Sequence, residues 1–283
     1  MLLREYRTRL RDLLSQMNPE DAPVLADLLL AAGLRTDRGT MLARLDEELE
    51  DETEEFCANA VYELSYGKPL QYVLGSCVFY GQEIVVGPGC FIPRSDTEVL
   101  VETALKILKP GQLFADLCSG SGCIAKAIAA NRPDAEGYAL ELSAKAMAYT
   151  LRNLSENKNV QVIRFDALDD EDYAALSIRA GRPFDLLVCN PPYIPTEDLE
   201  NLPTDVRYEP ETALDGGEDG LRFYRAVTAF APLLLKPDGV ILFEIGYDQA
   251  ESVQDILRNA GYATAVIKDY GKNDRVVIGK KAG

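Results

Sequence analysis

Histidine is absent from the 283-residue chain. That removes the commonest general base, the Ser-His-Asp and Cys-His nucleophile schemes, and any mixed Cys/His zinc site. Chemistry must rest on carboxylates, amides, backbone groups or a cofactor. The six cysteines, at 57, 77, 90, 118, 123 and 189, include no CxxC pair. Their spacing suits no all-cysteine metal site, so reduced, mostly packed thiols and no bound metal are expected. No apolar run is long enough to span a bilayer, and the opening Met1-Leu-Leu-Arg-Glu-Tyr-Arg-Thr-Arg-Leu10 is too charged for the apolar region of a signal peptide. A cytoplasmic protein with no membrane partner is expected. Basic residues are scarce, 29 Lys and Arg against 46 Asp and Glu, for a net charge of −17. The first 75 residues and the remainder are both acidic, and no Lys/Arg cluster stands out. Affinity for nucleic acid comes largely from cations neutralising phosphates, so a direct nucleic-acid partner is disfavoured.

What is present divides near Gly75. Before it, Leu3, Tyr6, Leu10, Leu13, Leu14 and Met17 recur at helical steps, and Asn18-Pro19 stops that helix. A second helix runs from Ala22 to Ala32 and is stopped by Gly33. The acidic run Asp46–Glu55 straddles a helix end, where carboxylates gain from the following helix's N-terminal dipole, and is read mainly as a solvated face. This gives a helical domain over 1–75. Residues 76–92 read as a β-hairpin linker, two short strands about a Gly81-Gln82 turn. Over 93–283, strands are predicted at 112–117, 136–141, 160–165, 184–189, 240–245, 263–268 and 275–279, and helices at 122–131, 143–156, 171–180, 220–235 and 247–260. The alternation predicts an α/β, doubly wound, Rossmann-like sheet of seven strands. The connection Asp269–Asp274 is too short for a crossover helix, so the last strand is expected to be antiparallel.

The most informative residues are Asn190-Pro191-Pro192-Tyr193, directly after the strand Phe184–Cys189. Two prolines end the ladder and stiffen the turn, at the sheet edge where ligands of open α/β folds bind. The tetrad suits a planar NH2 group: carbonyls of Asn190 and Pro191 accept its hydrogens, and Tyr193 packs on its face. A proline-rich loop with no ligand would look the same in isolation. Upstream, Asp116-Leu117-Cys118-Ser119-Gly120-Ser121-Gly122 passes from strand to helix. It departs from G-x-G-x-x-G, and no Walker lysine follows, so a pyrophosphate is disfavoured. Glu141, ending the second strand, could hold both ribose hydroxyls; Asp166, beside Ala167 at the end of the third, could meet an adenine amine. Each carboxylate alone could be a solvated loop acid. Together, Asp116, Glu141, Asp166 and Asn190 on one rim describe a nucleoside site without phosphates beside an NH2 site, which fits S-adenosylmethionine.

Along nearly its whole length the chain resembles the HemK/PrmC family. The resemblance rests on Pro69-Leu-Gln-Tyr-Val-Leu-Gly75, Phe91-Ile-Pro-Arg-Ser-Asp-Thr-Glu98, Asp116–Gly122, Asn190–Pro195, Tyr208-Glu-Pro210, Ala213–Leu221 and Asp274-Arg-Val-Val277. Asn-Pro-Pro-Tyr is shared with nucleic-acid amino-group methyltransferases; the flanking blocks are more specific. The resemblance implies methyl transfer from S-adenosylmethionine, leaving S-adenosylhomocysteine, to the glutamine amide of the Gly-Gly-Gln motif in class-1 peptide release factors, a protein methylation that modulates translation termination. It implies Asn190, Pro191 and Tyr193 as catalytic residues, with Pro192 completing the substrate site. Asp116, Cys118, Ser119, Gly120, Ser121, Gly122, Glu141, Asp166, Ala167 and Asn190 would surround the cofactor. The helical domain would recognise the release factor, and a monomer is expected. Two positions depart from the family pattern: Cys118 stands where Gly is common, and Ser95 where a second proline is usual. A nucleic-acid base, a ribosomal-protein glutamine, or a retained fold without catalysis are the alternative readings.

Overall fold

Apolar residues at three- and four-residue steps make the first part of the chain helical, and a change to strand–helix alternation makes the second part a sheet. The computed structural model describes residues 1–281. It separates into two units, Met1–Gly75 with Thr204–Tyr208, and Ser76–Pro203 with the chain from Glu209 onward.

The first unit packs α1 (Leu3–Leu14), α2 (Ala22–Gly33), α3 (Arg38–Ala43), α4 (Asp51–Ser65) and α5 (Leu70–Leu74) around Leu3, Tyr6, Leu10, Leu29, Leu30, Met41 and Cys57. The buried stripe of α1 is Leu3, Tyr6, Leu10 and Leu14; Leu13, expected on it, lies beside it and is exposed, and Met17 is exposed because the helix ends at Leu14. Asp51, Glu52 and Glu54 occupy the first turn of α4, where the helix dipole favours them. Asp27 is buried and ion-paired with Arg7 and Arg38 at 2.6 and 2.8 Å. Those two guanidinium groups hold its carboxyl below the usual range despite burial. Within this unit the Tyr208 hydroxyl donates to the Tyr66 carbonyl at 3.0 Å.

The second unit opens with an antiparallel hairpin, β1 (Ser76–Phe79) and β2 (Gln82–Val85). Its turn is Tyr80-Gly81, with φ of 47° and 71°. The expected Gly-Gln turn is therefore displaced by one residue, because two successive positive φ angles match a tight hairpin's twist. Asn153 clamps the hairpin: its Oδ1 accepts from Val85 N at 2.8 Å, and its Nδ2 donates to the carbonyls of Val85 and Ser121, both at 2.9 Å.

Then come α6 (Glu98–Ile107), β3 (Leu113–Leu117), α7 (Cys123–Asn131), β4 (Glu136–Glu141), α8 (Ala144–Asn153), β5 (Val160–Arg164), α9 (Asp170–Ala180) and β6 (Phe184–Cys189). The chain closes with α10 (Arg222–Phe230), β7 (Leu235–Glu244), α11 (Ala250–Asn259), β8 (Tyr262–Lys268) and β9 (Asp274–Lys281). Helix α6 has no counterpart among the predicted helices, because its Val99-Leu100-Val101 run is continuous rather than periodic. Strand β7 starts five residues before its predicted 240, across a register shift opposite Phe184 and Leu186.

The seven strands lie in the order β5-β4-β3-β6-β7-β9-β8. Strand β9 is antiparallel to both neighbours, and the other pairings are parallel. Chain order reverses between β3 and β6, so a crevice opens at the carboxyl ends of these two strands. Both face layers are apolar, with Phe114, Phe184, Tyr224 and Phe243 fully buried. No helix among the described residues is long and apolar enough to cross a membrane.

Candidate active site

The turn after β3 is shaped by backbone sterics. Cys118, Gly120 and Gly122 all have positive φ, at 57°, 55° and 78°. A Cβ on Gly122 would come 2.9 Å from the Thr150 methyl, whereas one on Gly120 would meet nothing within 4 Å. Gly122 is thus a packing glycine, and Gly120 borders open space that a ligand can enter. Glu141 at the end of β4 braces this turn. Its Oε2 accepts from Gly120 N and its Oε1 from Ser143 N, both at 2.7 Å. Thr150 Oγ1 donates to the Gly120 carbonyl at 2.7 Å, and Ser119 N to the Leu140 carbonyl at 3.0 Å.

Cys118 stands in the left-handed region without glycine's freedom, at a cost of roughly 1–2 kcal/mol. Branching at Cβ worsens that clash. Cys118→Val is expected to lower unfolding free energy by about 2 kcal/mol or more and to weaken S-adenosylmethionine binding. Urea denaturation and calorimetry check both, and an unchanged midpoint would contradict the strain.

Asp116 differs from the rim carboxylate that was expected. It lies one residue inside β3 and is fully buried. One oxygen, Oδ2, accepts from Ala125 N at 3.1 Å in the first turn of α7, and the other, Oδ1, has no partner. Burial, reinforced by the nearby Glu141, pushes its pKa up to about 8, against the pull of that backbone hydrogen bond. The protonated form of Asp116 is favoured as a result. Glu141 is also raised by burial, with the N–H groups of Ser143, Gly120 and Leu142 opposing. Asp166 sits two residues beyond the end of β5 rather than on the strand. Its Oδ1 closes a turn by accepting from Leu168 N at 2.9 Å. Ala167 is buried, and its carbonyl accepts from the Tyr173 hydroxyl at 3.2 Å.

Beyond β6, Asn190 is half-buried, Pro191 and Pro192 are buried, and Tyr193 is half-buried. The Asn190 amide nitrogen donates to Thr97 Oγ1 at 3.4 Å. Its carbonyl oxygen is thereby turned away from Thr97. Burial, with a contribution from Glu244, raises the Tyr193 phenol to about 12, so it remains neutral. The backbone after the tetrad is pinned on both sides. Gln249 Nε2 donates to the Tyr193 carbonyl at 2.9 Å, and Gly216 N to the Ile194 carbonyl at 2.8 Å. A Cβ on Gly216 would lie 2.7 Å from Tyr193 Cα, and one on Gly220 2.4 Å from the Tyr193 carbonyl oxygen. The Ala213–Leu221 block is therefore rich in glycine because the tetrad's backbone occupies the space a side chain would fill.

Arg94, Asp96 and Glu98 each tie the Pro93–Glu98 block to another segment. Arg94 pairs with buried Glu209, which also accepts from Ile92 N at 2.8 Å. Asp96 pairs with Arg275 at 3.3 Å, and Glu98 accepts from Tyr80 N at 2.8 Å. Thr97, Glu244 and Arg275 are neighbours of the tetrad that strand-end reasoning passed over. Glu244 ends β7 on the same rim as Glu141 and Asn190. The rule that selected Glu141 would have found it.

The residues around the crevice suit an adenosyl sulfonium. Gly120 faces open space, Glu141 retains lone pairs, and Ser119 Oγ and Asp116 Oδ1 are buried without partners. Residues 93–203 match the family model described as methyltransferase small domain. A methyltransferase from Pyrococcus furiosus shares this fold at 18% identity, over 73% of this chain and 92% of that one, with a TM-score of 0.50. Sheet, crevice and matched domain are those of an S-adenosylmethionine-dependent methyltransferase.

Residues 5–75 match the PrmC N-terminal domain. The chain is 39% identical to the release factor glutamine methyltransferase of Geobacter sulfurreducens, over 95% of this chain and 93% of that protein. It is 40% identical to the one from Moorella thermoacetica over 89% of each, and 33% identical to the one from Clostridium acetobutylicum over 100% of each. The chain belongs to the release factor glutamine methyltransferase family.

Proposed function

We propose that the chain methylates the side-chain amide nitrogen of the Gly-Gly-Gln glutamine in class-1 peptide release factors. The observation that carries this reading is Asn190 at the switch-point crevice, whose side-chain nitrogen donates to Thr97 and so leaves its carbonyl for a substrate N–H. An amide nitrogen is a poor nucleophile because its lone pair is delocalised into the carbonyl. Asn190 Oδ1 and the Pro191 carbonyl accept its two N–H hydrogens, which raises electron density on nitrogen and fixes its direction. Tyr193, neutral and held by the Gln249 bond to its carbonyl, packs on the amide plane and excludes water. Bound S-adenosylmethionine supplies an electrophilic methyl group to which the nitrogen is presented. Orientation of this kind supplies roughly 7–11 kcal/mol of barrier reduction. As the N–CH3 bond forms and the S–CH3 bond breaks, S-adenosylhomocysteine leaves and the surplus amide proton passes to solvent water, so no histidine base is invoked.

Asp116, Cys118 through Gly122, Glu141, Asp166 and Ala167 hold the cofactor in this reading, with Asn190 between the two sites. Glu141→Ala is expected to weaken S-adenosylmethionine binding about 10- to 100-fold. The substitution strands two N–H groups and removes an acceptor for the ribose, and a hydrogen bond to a charged group is worth about 1.5–3 kcal/mol. Titration calorimetry reads this directly. The helical unit recognises the release factor, and the acidic surface disfavours nucleic acid. The protein acts as a cytoplasmic monomer. The decisive assay combines purified protein, methyl-labelled cofactor and a release factor. Loss of label when the Gly-Gly-Gln glutamine becomes alanine supports the assignment, and equal labelling of that variant refutes it.

A further inference from the structure

We propose that Glu244 is a positioning residue which, together with Thr97, holds the Asn190 side chain with its nitrogen inward and its carbonyl toward the substrate. The inference rests on the methyl-transfer reading above. Three observations meet at this point of the fold. Strands β6 and β7 are parallel, with Cys189 paired to Phe243, so Asn190 and Glu244 follow side by side at the carboxyl edge. Glu244 is 2% exposed, and its Oε2 is buried without a partner. Its backbone cannot drift, because the Tyr224 hydroxyl donates to the Glu244 carbonyl at 2.9 Å. Thr97, itself buried, accepts from Asn190 Nδ2 at 3.4 Å.

Elementary hydrogen-bond chemistry then gives the cluster a direction. A threonine hydroxyl has one proton, and an ionised carboxylate only accepts. When Glu244 is ionised, the Thr97 proton goes to it, and the threonine oxygen can only accept from Asn190. The asparagine must turn its NH2 inward. When Glu244 is protonated, its own hydroxyl can donate to Thr97, the threonine proton is released, and either face of the asparagine amide fits. An asparagine whose two faces differ in shape by almost nothing needs such a device to present one of them.

The groups around Glu244 are Thr97 and Asn190, which favour the carboxylate by hydrogen bonding, Arg275, which favours it by charge, Asp96, which opposes it, and three groups held neutral by burial, the phenols of Tyr193 and Tyr224 and the thiol of Cys189. Arg275 is shared with Asp269 at 3.2 Å and Asp96 at 3.3 Å, so its charge is partly spent. Burial prevails and pushes Glu244 up to about 7. The proposed switch between one fixed and two permitted asparagine orientations therefore falls near neutral pH.

The test compares wild type, Glu244→Gln, Glu244→Ala, Thr97→Val and the Glu244→Ala/Thr97→Val double variant. Each is checked for folding by circular dichroism and for cofactor affinity by calorimetry. The readout is kcat for release-factor methylation between pH 5.5 and 8.5. Glu244→Ala is expected to lose about 10- to 100-fold in kcat, the scale of a small misplacement of a reacting group, with cofactor affinity within about threefold. Thr97→Val should lose a similar factor, and the double variant no more than either single one, because the two residues act as a unit. Wild-type kcat should fall on the acid side of about pH 7, and Glu244→Gln, which cannot ionise, should show a reduced kcat without that limb. Folded Glu244→Ala with wild-type kcat, or full additivity in the double variant, overturns the inference alone. Wild type that labels no release factor overturns both this inference and the function it rests on.

Discussion

Asn190→Ala is expected to slow methyl transfer by about 100- to 1000-fold, the usual cost of losing one preorganised polar contact at a reacting group. The argument depends on placement. Asn190 follows β6, and its nitrogen is engaged by Thr97, so the lost atom is the carbonyl that would accept a substrate N–H. The backbone around it stays in place after the substitution. Pro191 and Pro192 still fix φ, and the Tyr193 and Ile194 carbonyls are still held by Gln249 and Gly216. The loss should therefore fall on kcat far more than on cofactor affinity, which depends on Glu141 and the glycine turn. Single-turnover methylation under saturating cofactor, with calorimetry in parallel, separates the two. A tenfold or smaller drop in kcat would remove Asn190 from the centre of the mechanism.

The second large effect is on stability. Without cofactor, the chain is expected to lose stability as pH rises from about 5 to 8, opposite to the behaviour of most carboxylates. Asp116 and Glu244 have folded pKa values of about 8 and about 7, above their ordinary 3.8 and 4.5. A raised carboxyl contributes stability that is complete below its unfolded pKa and is lost as pH climbs through its folded one. The folded state holds more protons throughout that window. Each group then contributes a slope of up to about 1.4 kcal/mol per pH unit. Asp27, Asp37, Asp219 and Asp269 are shifted the other way, so their contributions are complete above the usual carboxylate range and do not blur the window. Above pH 7 Asp116 dominates, and Asp116→Asn should flatten the curve there while keeping an acceptor for Ala125 N. Urea denaturation across pH 5 to 8 reads the slope. A flat wild-type profile would mean that Asp116 is solvated in the folded state.

Local pattern carried a large part of this molecule. Strand positions at 136–141 and 184–189 could be read to the residue, because an apolar run bounded by turn residues has one reasonable placement. The antiparallel last strand followed from a connection too short for a helix. Helix α6 escaped because burial on several sides erases periodicity, and the hairpin turn was misplaced because its first residue is a tyrosine at positive φ. The rim was legible at Glu141 and Asn190. Strand position alone did not say that the Asp116 carboxylate is fully buried and bonded to Ala125 N in the first turn of the next helix.

The sequence by itself determined the mainly parallel sheet and the type of chemistry. Lacking histidine and basic clusters, and carrying Asn-Pro-Pro-Tyr at a strand end, the chain had few other chemistries open to it. The sheet follows from periods of two and 3.6 residues, and the chemistry from the Asn-Pro-Pro-Tyr motif and the family resemblance, all of which are read from neighbours along the chain. Only the tertiary structure decided which polar groups become neighbours through space. It brought Thr97, Glu244 and Asn190 together from three distant segments and paired Arg94 with Glu209 and Arg275 with Asp96. It also buried Asp116 completely. Burial and through-space contact set protonation and orientation, because desolvation and hydrogen bonding act on distances that chain order does not record.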